Sequence, residues 1–459
     1  MKRYRIGAIA AFAAAVLAVT GCSAGMGGGS GSDDLGTASG DFDWKRYDGQ
    51  KISVMLNEHP WTDGVKESIA EFEKATGITV DLKSYAEDLY FDKMNQALRT
   101  KNAPDLVMTG FDYSISTQEA AGLLEPLDDY ISSTSLTDAG YDLADYPAGV
   151  LAPAKLPAGQ SDAKLYGIPI STETYILFYN KNLVDQYLGG KVPANMDELI
   201  ADSQKITSEG GGKVFGSVVR GVRSSAIVDI PTAFVINRWP DAKTVQLPYN
   251  VWFDGAWDKP RMTDPNVVQG LDDYAKLLAA GPPNRLNIDW ADANSLFSQG
   301  KVAFYADASV FGPSFEDPSS SKIAGKVGYA TLPKGSEGGA SGLWSWGLSM
   351  SKSSQHKGAA WLFAQWFTNK ANTAKLGALT GGPARASSAT MPEFADALQP
   401  DFVKTITASM ATAQPTAVIA ADIEPALVAI VDATLAMADG TDPEKAAAKA
   451  QAELQSNHP

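Results

Sequence analysis

The period of the apolar residues changes repeatedly between Lys51 and Met108, and that alternation limits the fold more than any other feature of the chain. Lys51 to Leu56 alternates, with Ile52, Val54 and Leu56 on one side, as a half-buried strand does. Thr62 to Thr76 then sets Val65, Ile69 and Phe72 at helical spacing and stops at Gly77. Ile78 to Leu82 reads as a second strand, Leu89 to Leu98 as a helix, and Pro104 to Met108 as the opening of a third strand. Strands alternating with helices of this length imply a parallel sheet covered by helices, the α/β class. In such sheets ligands bind beyond the carboxyl ends of the strands. His59, Pro60 and Trp61, and then Gly110 to Tyr113, are therefore candidate site segments.

What precedes this region reads as an address. Met1 to Arg5 is basic, Ile6 to Val19 is an apolar run of 14 residues, and small residues follow. That is the layout of a secretory signal, and the run is shorter than the roughly 20 residues of a membrane-spanning helix. Val19-Thr20-Gly21-Cys22 resembles a bacterial lipobox, which implies cleavage before Cys22 and acylation of it. Cys22 is the only cysteine of the chain, which favours this reading over an ordinary signal peptide. Ser23 to Gly40 is rich in Gly and Ser and suits a flexible tether. The expectation is an exported protein held by lipid to the outer face of the cytoplasmic membrane.

Roughly 420 residues then remain, more than one core comfortably serves, so two domains are expected. With no cysteine after Cys22, packing alone holds them. The formal charge of −15 becomes −18 once Lys2, Arg3 and Arg5 leave with the signal segment, which disfavours nucleic acid as a partner. Such acidity is also what keeps an exported protein soluble.

The order of several short segments is more specific. Phe72-Glu73-Lys74-Ala75-Thr76-Gly77-Ile78-Thr79-Val80, Ala103-Pro104-Asp105-Leu106-Val107 and Gly122-Leu123-Leu124-Glu125-Pro126-Leu127 come first. Leu165-Tyr166-Gly167-Ile168-Pro169, Leu177-Phe178-Tyr179-Asn180-Lys181 and Pro193-Ala194-Asn195-Met196-Asp197-Glu198-Leu199 follow. Phe297-Ser298-Gln299-Gly300-Lys301-Val302-Ala303-Phe304 and Val327-Gly328-Tyr329-Ala330-Thr331-Leu332-Pro333 complete the series. Over about Lys51 to Arg385 this order resembles the extracellular solute-binding proteins, family 1, which include the maltose-binding protein.

The resemblance implies a two-lobed, type II periplasmic-binding-protein-like fold whose chain crosses between lobes. It implies an N-terminal lobe of 42–170 plus 332–385 and a C-terminal lobe of 171–331 plus 386–459, after a leader 1–21 and tether 22–41. It implies a monomer that closes on a sugar and hands it to the permease of an ABC importer.

A sugar presents hydroxyls and an apolar ring face, so its site needs carboxylates or amides beside flat aromatics. By resemblance, Asp112, Glu173 and Asp307 match sugar contacts of the maltose-binding member. Asp112 also suits a helix cap, and Tyr113 follows it. Val310 and Thr109 replace aromatics of that relative, so the ligand is held differently. Trp344 and Trp346 lie two apart and share a face if extended, and His59 and Trp61 follow the first strand. Arg220 is a further candidate and Arg223 an alternative surface partner for acids, whereas Trp361 and Trp366 suit a helix core. The aromatics favour an oligosaccharide, although an acidic cleft also suits a polyamine.

The same three carboxylates would serve a secreted glycoside hydrolase. No hydrolase signature, nucleophile elbow or phosphate loop accompanies them. The three histidines, His59, His356 and His458, lack metal-ligand spacing. Neither catalysis, metal nor cofactor is therefore expected.

Overall fold

The computed structural model describes residues 40–458 except 240–244 and 336–338. The leader, Cys22 and the tether as far as residue 39 lie outside the described residues.

Eight strands of four residues or more are described: β1 (Lys51–Asn57), β2 (Thr79–Tyr85), β3 (Leu106–Gly110), β4 (Ile168–Asn180), β5 (Phe215–Val218), β6 (Val302–Ala308), β7 (Val327–Thr331) and β8 (Gly342–Ser351). They form the order β2-β1-β3-β8-β4-β6-β5, with β7 also on β4. β1 runs parallel to β2 and β3, with Lys51 opposite Thr79 and Val54 opposite Leu106. The helices Pro60–Thr76 and Glu87–Leu98 connect these three strands. This is the parallel sheet that the alternation predicts.

The first helix begins earlier than the spacing of Val65, Ile69 and Phe72 suggests. His59 caps it and Pro60 occupies the first turn, where a missing N–H costs nothing. Trp61, Val65, Ser68, Phe72 and Thr76 then form its buried stripe. Gly77 ends it at φ 75°, a left-handed conformation that glycine adopts without strain.

β4 joins the two halves. Its residues 168–174 pair antiparallel with β8, and residues 175–179 pair antiparallel with β6. Thirteen residues of extended chain reach about 40 Å, enough to belong to both sheets. Almost every side chain of β4 is buried, as expected for a strand covered on both faces. Its middle, Ser171 to Thr174, is a polar run, and it is there that its pairing passes from β8 to β6.

Two large cores flank this crossing. One draws on residues 47–170 and 346–384, among them Ile52, Leu56, Phe72, Met108, Trp361 and Phe363. The other draws on residues 175–332 and 418–454, including Leu177, Phe234, Trp252, Leu271 and Ile430. Trp344 packs against both. No helix among the described residues is long and apolar enough to cross a membrane.

Candidate functional site

A cavity of about 710 Å³ opens between the two lobes, lined by the segment after β1 and by β4 and β8. From the first lobe, His59 follows β1. Its Nδ1 accepts the Trp61 backbone N–H at 3.1 Å, which places the ring proton on Nε2. Nε2 then donates to Glu173 Oε1 at 3.1 Å, tying the loop after β1 to the polar middle of β4. Both side chains line the cavity and are nearly buried.

β8 supplies an aromatic wall. It extends from Gly342, so Trp344 and Trp346 are strand residues on one face, their rings 5.8 Å apart and nearly perpendicular. Both line the cavity, Trp344 half-buried and Trp346 buried against Phe91 at 6.1 Å. Gly110 lies close beside the Trp344 ring, where a Cβ would stand 3.0 Å from it, a tight contact. From the second lobe Trp290 stacks on Phe311 at 5.8 Å, and both reach the same cavity.

Arg220 also lines it. Its guanidinium grips Asp307 with two hydrogen bonds, Nη2 to Oδ1 at 2.7 Å and Nε to Oδ2 at 3.0 Å. The Tyr305 hydroxyl donates to Asp307 at 2.9 Å, and Tyr274 donates to the Arg220 carbonyl at 2.6 Å. Asp307 is fully enclosed and absent from the lining. It holds Arg220 in place and does not itself reach the cavity.

Three other expectations fall elsewhere. Trp61 is fully buried against Phe367, since the early helix start turns it into the core. Asp112 caps the helix Tyr113–Ala120 by accepting the Ser114 N–H at 2.8 Å, and burial pushes its carboxyl up to about 6. It is absent from the cavity lining. The Tyr113 hydroxyl lies 3.4 Å from Ser225 Oγ, which donates to Glu424 at 3.1 Å, so Tyr113 is a contact between lobes. Arg223 pairs with Asp432 on the surface, and Trp361 is core, as its helical spacing predicts.

The cavity also holds carboxyls that the sequence reading does not single out. Glu87 begins the helix Glu87–Leu98 and lines the cavity together with Trp290 of the other lobe. Burial pushes its carboxyl up, with Arg220 opposing and Glu173 adding to the shift. Asp229 begins the helix Asp229–Arg238, and burial pushes its carboxyl up to about 7 against the pull of Arg220. Among the described residues no group of His, Cys, Asp and Glu has the arrangement of a metal site.

The model of the family described as bacterial extracellular solute-binding protein matches residues 59–374. Among curated proteins, an erythritol/L-threitol-binding protein of Mycolicibacterium smegmatis is 28% identical over 362 residues, 76% of this chain and 73% of its own. A mannitol-binding protein of Pseudomonas aeruginosa is 30% identical over half of each chain, 237 residues. Among solved structures, an ABC transporter solute-binding protein of Agrobacterium radiobacter with ribitol has a TM-score of 0.73 at 23% identity, covering 89% of this chain and 99% of that one. The fold is thus the two-lobed, type II arrangement that the order of the segments implies. With a cavity at the crossing of its lobes and a family model that spans most of its length, the chain belongs to the bacterial extracellular solute-binding proteins.

Proposed function

We propose that this protein captures a sugar or sugar alcohol and presents it to the permease of an ABC importer. One observation carries the reading: the cavity brings together carboxyls from both lobes and from the crossing strand, Glu87, Asp229 and Glu173, with the indoles of Trp344 and Trp346. Carboxylates accept hydroxyl hydrogen bonds, and an aromatic face covers carbon-bound hydrogens while excluding water. A polyhydroxyl solute satisfies both at once. Relatives named for erythritol, L-threitol and mannitol support the same class. The two tryptophans favour an oligosaccharide, and those relatives extend the class to small acyclic polyols.

Hinge closure follows from where the contacts lie. Tyr113 meets Ser225 across the two lobes, and Glu87 and Trp290 line the cavity from opposite lobes. A solute touching both lobes stabilises the closed form because only there are all its contacts made. The protein acts as a monomer and hydrolyses nothing.

Calorimetric titration with erythritol, ribitol, D-mannitol and maltotriose tests this, with product release from the oligosaccharide followed in parallel. Micromolar or tighter binding of at least one without turnover is expected. Silence across the panel, or turnover at catalytic rates, would overturn it.

Cys22 supplies the anchor in this scheme, and the tether keeps the binder concentrated near its permease. Replacing Cys22 with Ser is expected to move the protein from the membrane to the soluble fraction and leave its dissociation constant within about twofold. Fractionation followed by calorimetry reads both, and a large loss of affinity would contradict the division of labour.

A further inference from the structure

Asp229 stands at the second-lobe side of the cavity with its residue only 6% exposed. Its Oδ2 accepts from the Tyr175 hydroxyl. Its Oδ1 is equally enclosed and has no hydrogen-bond partner among the described residues. A buried carboxyl oxygen left this way forfeits hydration unless something in the cavity donates to it. Tyr175 lies two residues beyond Glu173 on β4, so both side chains leave the same face of the crossing strand. Glu173 is aimed by His59 and Asp229 is aimed by Tyr175. One strand therefore orients an acceptor at each side of the crossing.

We propose that Asp229 is the specificity-determining carboxyl of the second lobe, its Oδ1 accepting a hydroxyl of the solute while Tyr175 fixes the direction of that acceptor. The assignment rests on the polyhydroxyl ligand class proposed above. No donor among the described residues pairs with Oδ1 of Asp229. Arg220, the cation beside it, is already held by both oxygens of Asp307. The other charged or titratable groups facing it are Glu173 and Tyr175 on β4, Asp307 on β6 and Tyr274 on the helix Pro265–Ala279.

The same burial makes the contact sensitive to pH. The carboxyl is pushed up to about 7 by desolvation, with Arg220 and the Tyr175 hydroxyl opposing and Asp307 and Glu173 adding. A solute hydroxyl donates best to the ionised form, so binding lowers the pKa of Asp229. Affinity therefore strengthens as pH rises through about 7, by up to tenfold per unit, and levels off above it. Glu87 also titrates upward at this cavity, so the contribution of Asp229 is the part of the slope that its own replacement removes.

The experiment is calorimetry on wild type, Asp229→Asn and Tyr175→Phe, from about pH 5.5 to about pH 8.5. The probe is whichever of erythritol, ribitol, D-mannitol and maltotriose the wild type binds most tightly. Asp229→Asn is expected to weaken binding about 30-fold at the high end and to flatten the slope, the loss of a buried ligand contact. Tyr175→Phe is expected to weaken it several-fold and to move the midpoint upward, because a donor to the ionised carboxyl is gone. The thermal midpoint of ligand-free Asp229→Asn above about pH 8 should equal or exceed that of wild type, since a buried charge is removed. Binding by Asp229→Asn within twofold of wild type, or an unchanged slope, would overturn the assignment alone. A wild type that binds no member of the panel would overturn the ligand class and this assignment with it.

Discussion

Truncating Asp307 to Ala is expected to destabilise the protein by about 3–5 kcal/mol and to abolish solute binding, although Asp307 touches no part of the cavity. The reason is the company it keeps. Arg220 is almost fully buried, and Asp307 is its bidentate partner within a network that also holds Tyr305. Removing the carboxylate leaves an enclosed guanidinium without its bidentate partner, which costs far more than the pair contributes. Replacing both partners, Arg220→Met with Asp307→Leu, should recover most of the stability because no charge is then stranded. It should not recover binding, because the cavity has lost the guanidinium. Chemical denaturation and calorimetry on the three proteins separate these effects. Normal affinity in Asp307→Ala, or a double variant as unstable as the single, would show that Asp307 does not act through Arg220.

The sequence order of elements carries over into β1, β2 and β3 nearly residue for residue, because residues that share a strand or helix face are neighbours along the chain. The polar interruption Ser171 to Thr174 likewise marks the crossing, and Glu173 within it reaches the cavity. Two candidates went astray over element boundaries. Trp61 precedes Val65 by four residues, and Pro60 was the available sign that the helix already includes it. Asp307 matches a sugar contact by resemblance, yet it lies within β6, which continues to Ala308 and turns Asp307 inward with Tyr305.

Glu87, Asp229 and Trp290 illustrate the other limit. Each occupies the first position of a helix, where an acidic or bulky residue is ordinary helix-start chemistry. Nothing local distinguishes them from similar positions elsewhere. They become a site only when three distant segments close on one cavity, and that information resides in the packing of the lobes.

The tryptophan pair on β8 divides its duties, and truncation should expose the division. Trp346 is 5% exposed, rests on Phe91 and belongs to the first-lobe core, so Trp346→Ala is expected to cost about 3–5 kcal/mol of stability. Trp344 is half-buried, lines the cavity and touches the cores of both lobes. Trp344→Ala is expected to weaken solute binding by about 30- to 100-fold, or about 2–2.7 kcal/mol, within the range of an aromatic anchor. Its destabilisation of the ligand-free protein should be smaller than that of Trp346→Ala, because less of the ring leaves a packed environment. Trp344→Phe keeps an apolar face and should restore part of the affinity. Paired measurements of dissociation constant and unfolding free energy decide the matter. If Trp344→Ala binds within threefold of wild type, the aromatic wall supports the lobes and not the solute.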